Sequence, residues 1–189
     1  MKPLFVLLAG PNGSGKSTLA ATPEFQALNV EMLNPDEIAK TSPSDVNALI
    51  WAGRKIHHQI ENRISEMTSF AIETTLSGNN HFKTIERCKS AGYYFAFHFI
   101  FVRSVTTSMG RVQTRVAAGG HDVPEVDQQR RFQRSIENSA RVVNIADESH
   151  FYYNGTELKH KRVAQFLLGK QTFMSQDAPN WLKSFAAQS

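Results

Sequence analysis

Residues 7–20 read LLAGPNGSGKSTLA, an apolar run that breaks into three glycines within six positions and then into Lys16, Ser17 and Thr18. Glycine raises the entropy cost of ordering a segment, so this cluster needs a physical reason. The spacing Gly10-x-x-x-x-Gly15-Lys16-Ser17 supplies one: a P-loop, whose backbone amides wrap the phosphates of a nucleotide. A flexible Gly/Ser turn explains neither the Lys-Ser pair nor the apolar run before it and the helical pattern after it. On this reading Gly10, Pro11, Asn12, Gly13, Ser14, Gly15, Lys16, Ser17 and Thr18 bind a nucleotide. The helix that begins there adds the positive end of its dipole. Lys16 reaches the β- and γ-phosphates of ATP or GTP, and Ser17 holds Mg²⁺.

Outward from this loop, short apolar runs alternate with longer helical patterns. PLFVLLAG reads as a buried first strand, and a helix follows from about Lys16. VEMLN is a second, weaker strand that ends at NPDEIA, where Pro35 and Asp36 mark a helix start. Leu49, Gly53, Ile56, Ile60, Ile64 and Met67 recur at helical spacing, which predicts a helix over residues 44–68. SFAIETTLSG is a strand that turns polar at Glu73. A helix over residues 81–91 precedes the very apolar strand YYFAFHFIFV. Further helices are expected over 105–118, stopped by Gly119-Gly120, and over 125–147, with HFYYNG as a last strand. The tail from residue 160 to 189 holds one amphipathic piece, KRVAQFLLGK, and is otherwise unassigned.

This alternation predicts an α/β fold: a parallel sheet of about five strands with helices on both faces and a helical, Arg-rich lid over residues 105–147. At 189 residues the chain is read as one domain, 1–189. In such folds ligands sit beyond the carboxyl ends of the strands. The P-loop, residues 34–36 and residues 73–75 therefore gather on one edge.

Composition narrows the function classes. Hydrophobic residues make up 41% and charged residues 20%, an ordinary globular balance that argues against disorder. The longest apolar-aromatic run spans ten residues, half of what a membrane-spanning helix requires. The N-terminal MKPLFVLLAG enters the P-loop directly, so it reads as a strand and not as a cleaved signal. A single cysteine, Cys88, excludes an internal disulfide and fits a reducing cytoplasm. It lies on the same helix face as Phe82 and Ile85, as a buried small hydrophobe. The seven histidines show no ligand spacing, and no structural metal is expected. Net charge is +4, and six of the eleven arginines fall between Arg111 and Arg141. That face fits phosphates, whether of nucleic acid or of a small substrate.

Three groups beyond the P-loop are candidates for chemistry. Asp36, just past a strand end, is placed either to accept a proton from a substrate hydroxyl or only to stabilise a helix N-terminus. Glu73, followed by Thr74 and Thr75, either holds Mg²⁺ through water and binds a substrate hydroxyl, or caps its strand in solvent. Arg111 and Arg115 share a helix face, and Arg130, Arg131 and Arg134 follow on the next helix. The pair of helices forms either a lid that closes on a phosphoryl group or an ordinary charged hairpin.

AGPNGSGKST, NPDEIA, FAIETTLSG and RVAAGGHDVPE followed by QQRRF together resemble the zeta-toxin and UDP-N-acetylglucosamine kinase group of P-loop proteins, in its small bacterial branch often labelled ABC-type ATPases. The resemblance runs from about Leu4 to Asn154. It implies a cytoplasmic kinase that uses ATP or GTP and Mg²⁺ to phosphorylate the 3′-hydroxyl of the amino sugar in UDP-N-acetylglucosamine, with an antitoxin protein as a candidate partner. Its catalytic roles map onto Lys16, Asp36 as general base, and Arg115. Glu73, Thr74 and Thr75 map onto the sugar-nucleotide pocket. The sequence departs from the family where a second lid arginine is expected: His121 stands there, and Arg131 on the following helix is the candidate replacement.

Two other classes compete. An ABC-type motor acting on a partner protein needs an LSGGQ signature and an acidic pair after a strand; this chain has only LSGNN at residues 76–80 and no such pair. A polynucleotide or nucleoside kinase would also use a basic lid. Only Phe132 interleaves with the arginines, which gives little stacking surface for nucleic acid.

Overall fold

The apolar run before the glycine loop becomes the central strand, β1 (Leu4–Ala9), buried along nearly its whole length as a parallel strand between two covered faces must be. The computed structural model describes residues 2–43, 47–119, 123–155 and 160–186, with the side chains at positions 36, 49 and 186 outside that description. After β1 come α1 (Lys16–Ala20), α2 (Pro23–Gln26), β2 (Glu31–Leu33), α3 (Pro35–Lys40), α4 (Ala48–Glu66), β3 (Phe70–Thr74), α5 (Asn80–Ser90) and β4 (Tyr94–Phe101). The second half holds α6 (Val105–Ala117), α7 (Glu125–Val143), β5 (Glu148–Asn154), β6 (His160–Leu167), β7 (Lys170–Met174) and α8 (Asn180–Ala186).

The sheet order is β2-β3-β1-β4-β5-β6-β7, and the first five of these strands run parallel. From β1 the chain steps to one side for β2 and β3, then crosses back to β4 and β5. β1 and β4 therefore flank the point where the strand order reverses, and ligands of open parallel sheets settle beyond the carboxyl ends of the strands at such a point. The glycine loop leaves β1 there.

The two faces are covered unequally. On one, Ile60 of α4, Ile85 and Cys88 of α5, Val142 of α7 and Leu182 of α8 pack on Phe5, Leu7, Phe70, Phe95, Phe97, Phe99 and Phe151. On the other, the short α1 and α2 cover the sheet through Leu19 and Phe25 against Val6, Leu8 and Ile100. Cys88 is fully buried, and desolvation pushes its thiol up to about 12, so it behaves as a core hydrophobe.

Among the described residues the sheet has seven strands rather than about five. The extra pair lies in the tail: β6 joins β5 and β7 joins β6, both antiparallel. KRVAQFLLGK is thus mostly strand β6 and its turn. Register shifts at Phe151/Tyr152 and Gln165/Phe166 interrupt the period-two alternation that would have marked it. Leu168 and Gly169 both take positive φ, 49° and 77°, the pattern of a two-residue hairpin turn matched to strand twist. α8 then lays Trp181 edge-on to Phe101, with ring centroids 5.1 Å apart.

Element boundaries also differ in instructive ways. α4 runs over Ala48–Glu66 rather than 44–68: Asn47 accepts the Ile50 N–H at 3.3 Å as its cap, and Met67 turns left-handed at φ 53°. Residues 44–46 lie outside the described set. α7 stops at Val143, and Asp147 instead accepts the Phe95 N–H at 2.8 Å. The segment from α1 onward is two helices, because Thr22 caps a new one that Pro23 opens.

Candidate active site

The loop after β1 is held open by its own chemistry. Gly10 has φ 150°, and a Cβ there would sit 2.0 Å from the Ile100 carbonyl oxygen of β4, so no side chain fits. A Cβ on Gly15 would lie 2.3 Å from Asn154 Nδ2. Lys16 is buried inside the loop, where its Nζ donates to the Gly10 and Pro11 carbonyls at 3.0 and 3.1 Å. That places an ammonium at the centre of a backbone cradle whose amides favour an anion.

The loop is braced from behind by Asn154, His160 and Ser108, which the sequence did not single out, and by Arg111, which it did. Asn154 Nδ2 at the end of β5 donates to the Ser14 carbonyl at 2.8 Å. His160 Nε2 at the start of β6 lies 3.0 Å from the Gly15 carbonyl. Burial, more than any other influence, keeps His160 below its usual pKa, so it is neutral and donates from Nε2. Arg111 donates to the Asn154 and Gly155 carbonyls at 3.3 and 2.6 Å, and Ser108 of α6 donates to the Asn12 carbonyl. Arg111 therefore clamps the end of β5 to the lid helix and does not line the cleft in front of the loop.

In front of the loop, strand ends converge as the parallel sheet requires. Glu73 accepts from Ser17 Oγ at 3.1 Å and from Asn34 Nδ2 at 3.2 Å, which links β3, the P-loop and the end of β2. It is tied into the edge and does not stand free in solvent. Asn34 also caps α3, accepting the Glu37 N–H through Oδ1 at 3.4 Å. Asp36 occupies the second position of that helix; its side chain lies outside the description. Thr74 accepts the Leu76 N–H at 3.0 Å and sits 2.7 Å from His81 Nε2. Burial lowers the His81 pKa, which favours the neutral ring beside the Thr74 hydroxyl. Thr75 Oγ1 lies 2.9 Å from Ser77 Oγ.

Asn34, Glu73, Thr74, Thr75 and His81 line a cleft of about 340 Å³ together with Asn12, Gly13, Lys16, Pro35, Arg115, Val123, Pro124 and Arg131. Of the six arginines on α6 and α7, Arg115 and Arg131 line this cleft. Arg130 instead pairs with Asp127 at 2.6 Å, and Arg141 lies 4.0 Å over the Phe82 ring. His121 lies outside the described residues. Asn138 of α7 donates to the Leu76 carbonyl at 2.8 Å, anchoring the second lid helix to the turn after β3.

Sequence reasoning placed Asn34 on the active edge without giving it a role, and missed His81, Asn154 and His160. Asn34 directly precedes the Pro-Asp pair and was legible as a cap. His81 opens the helix after the polar strand end. His160 sits in the unassigned tail, where no spacing signal points to it.

The donor set in front of the loop suits Mg²⁺. Ser17 Oγ and the Glu73 carboxylate are adjacent hard oxygens, and Mg²⁺ prefers few protein oxygens with phosphate and water completing its shell. Among the described residues no three His, Cys, Asp or Glu side chains gather to hold a metal by themselves.

Residues 1–158 match the protein family described as Zeta toxin. A protein of Haemophilus influenzae (strain Rd), described only as uncharacterized, is 33% identical over 122 residues, which is 64% of this chain and 86% of that protein. Among solved structures, the PezAT chromosomal toxin-antitoxin system of Streptococcus pneumoniae superposes with a TM-score of 0.64 at 18% identity, over 85% of this chain and 70% of that one. The AvrRxo1-ORF1:-ORF2 complex with ATP superposes at 0.67 with 13% identity, over 98% of this chain. This chain spans 64% of the length of that neighbour. At these identities the solved structures share the fold.

Proposed function

The chain belongs to the zeta toxin family and has the fold of a P-loop phosphotransferase, and from that premise we propose that it moves the terminal phosphoryl group of ATP or GTP to a sugar hydroxyl of UDP-N-acetylglucosamine or a similar nucleotide sugar. One observation carries the reading: Lys16, Asn34, Glu73 and the two arginines Arg115 and Arg131 line a single cleft, and Glu73 is bonded to Ser17 Oγ and Asn34 Nδ2. Phosphoryl transfer asks the protein mainly for positioning and for positive charge around a phosphoryl group in flight, and those are the groups present.

In this scheme the amides of Gly13 to Ser17 and the Lys16 ammonium hold the β- and γ-phosphates. Mg²⁺, held through Ser17 and Glu73, would neutralise charge on the same oxygens. Asp36 accepts the proton of the acceptor hydroxyl as its oxygen bonds to the γ-phosphorus. The bond to the β-phosphate oxygen breaks, and the nucleoside diphosphate leaves with the electron pair. Arg115 and Arg131 stabilise the equatorial oxygens from the lid side. Glu73, Thr74 and Thr75 orient the sugar, and His121 belongs to the same substrate-binding set.

The family match supports an antitoxin protein as a partner, since the PezAT neighbour is a toxin-antitoxin system. Cytoplasmic residence belongs to the same proposal, because the reaction draws on ATP or GTP. Among the described residues no helix is long and apolar enough to cross a membrane.

The test is a competition for label. Purified protein, Mg²⁺ and γ-labelled ATP are offered UDP-N-acetylglucosamine and a 5′-OH oligonucleotide together. Label in the nucleotide sugar supports the reading; label in the oligonucleotide replaces it with a polynucleotide kinase.

A further inference from the structure

Two successive carbonyls of the phosphate loop are turned toward one pair of side chains. The Ser14 carbonyl accepts from Asn154 Nδ2 at 2.8 Å. The Gly15 carbonyl accepts twice, from the Leu19 N–H of α1 at 3.0 Å and from His160 Nε2 at 3.0 Å. The pair is a single cross-strand unit: Asn154, the last residue of β5, stands directly opposite His160, the first residue of β6. Residues so opposed in an antiparallel ladder project from the same face of the sheet. Arg111 fixes this unit from the lid helix, since its guanidinium donates to the Asn154 and Gly155 carbonyls.

The pair presses on the loop as well as bonding to it. A Cβ on Gly15 would lie 2.3 Å from Asn154 Nδ2 and 3.1 Å from His160 Nε2, so this approach requires glycine there in addition to its φ of 94°. In a planar trans peptide the carbonyl of one residue and the N–H of the next point in opposite directions. No described peptide bond is cis. With the Ser14 and Gly15 carbonyls drawn toward β5 and β6, the N–H groups of Gly15 and Lys16 are directed to the other side of the loop. The family match ends at residue 158, so His160 and the strand it opens bring to this loop something the match does not contain.

We propose that Asn154 and His160 are positioning residues for nucleotide binding: by holding the Ser14 and Gly15 carbonyls to the rear, they aim the Gly15 and Lys16 amides at the nucleotide's phosphates. The inference rests on the nucleotide-binding part of the reading above and is independent of the phosphoryl acceptor. It makes the start of β6 part of the nucleotide site, although neither side chain touches the ligand.

The test uses the full chain and Mg-ADP, with the Kd read by isothermal titration and phosphoryl transfer to UDP-N-acetylglucosamine measured separately. His160→Ala should raise the Kd about tenfold, the equivalent of one hydrogen bond. His160→Gln, which places an amide nitrogen at about the reach of the imidazole Nε2, should restore the Kd to within about threefold of wild type. A purely structural role for the ring would not be rescued by that donor. Asn154→Ala should weaken binding by a similar factor; because Asn154 is buried and His160 only partly so, the His160 pair decides if Asn154→Ala does not fold. Wild-type affinity in a folded alanine variant, or an equal loss in His160→Ala and His160→Gln, overturns the proposal even where phosphoryl transfer is active. Absence of Mg-ADP binding in wild type overturns it together with the nucleotide site. Mg-ADP binding that depends on the His160 donor, in a protein that phosphorylates no hydroxyl, would leave the positioning role standing and remove the kinase reading.

Discussion

Ser17 Oγ lies 3.1 Å from Glu73 Oε2, so the hydroxyl after the P-loop lysine is already bonded to the carboxylate that ends β3. Asn34 Nδ2 donates to the same carboxylate oxygen at 3.2 Å. Together they define a pre-assembled oxygen cluster at the mouth of the phosphate cradle.

If that cluster orients Mg²⁺, then Glu73→Gln keeps the size and most of the hydrogen bonding but removes the charge. The Mg²⁺ concentration for half-maximal activity should rise by about 10- to 100-fold, the usual range for altering a group that orients a metal. A Mg²⁺ titration at saturating ATP reads this directly. An unchanged Mg²⁺ requirement would assign Glu73 to the substrate alone.

Lys16 is buried, with its ammonium donating to two loop carbonyls. Lys16→Ala should therefore do more than stop catalysis. It removes the donor from the Gly10 carbonyl, while the Pro11 carbonyl keeps the Ser14 N–H at 3.2 Å, with a stability cost of about 1–3 kcal/mol. Stabilisation by Mg-ATP in a thermal-shift assay, present in wild type by mass action, should be lost. A variant that is still stabilised by nucleotide would remove Lys16 from the phosphate site.

Arg115 and Arg131 line the cleft, whereas Arg130 is paired with Asp127 outside it. Under the proposed scheme Arg115→Ala and Arg131→Ala should each lower kcat by about 10³-fold with nucleotide affinity nearly unchanged, because there their charge acts on the phosphoryl group in transit. Arg130→Ala should leave kcat within about a factor of three, equivalent to well under 1 kcal/mol. Equal behaviour of all three variants would reduce the lid to a charged hairpin.

His98 lies on the thinly covered face, where its ring is stacked 5.9 Å from Tyr152, stands 4.9 Å from His150 and meets the edge of Phe25. Burial, and then His150, push its pKa down from 6.5 to about 3. His150 is itself lowered by burial, opposed by Glu148 at 2.8 Å and reinforced by Arg162. Because the unfolded state binds the proton more readily, His98 opposes folding increasingly as pH falls from about 6.5 toward 3. The expected loss is about 1.4 kcal/mol per pH unit across that window, with none above it. Urea unfolding at pH 7 and pH 5 should show a smaller acid loss in His98→Phe than in wild type. An identical loss in both would assign the acid sensitivity elsewhere.

Much of this was legible before the structure. The glycine spacing and the apolar run before it specify a strand-loop-helix phosphate site, because few other arrangements need those residue types together. Strands β1, β3 and β4 were evident because parallel strands buried on both faces read as continuous apolar runs. β6 and β7 were hidden for the opposite reason: they are antiparallel and interrupted by bulges, and β7 is an exposed edge strand with a weak pattern. The support behind the P-loop was equally hidden. Asn154 and His160 meet Ser14 and Gly15 only through tertiary folding, across 140 and 145 residues of chain. Arg111 and Arg115 share a helix face in sequence, yet one bonds to the end of β5 and the other lines the cleft.

The decisive measurement is a ³¹P NMR time course of the protein with Mg-ATP and UDP-N-acetylglucosamine, run beside Asp36→Asn. In wild type the γ-phosphate resonance should decay as a new phosphomonoester resonance on the sugar grows, with little inorganic phosphate. In Asp36→Asn the same product should form roughly 10²- to 10⁴-fold more slowly, the span expected for loss of a general base. Release of inorganic phosphate alone, with no sugar phosphomonoester at any time, would show an ATPase in place of the kinase proposed here.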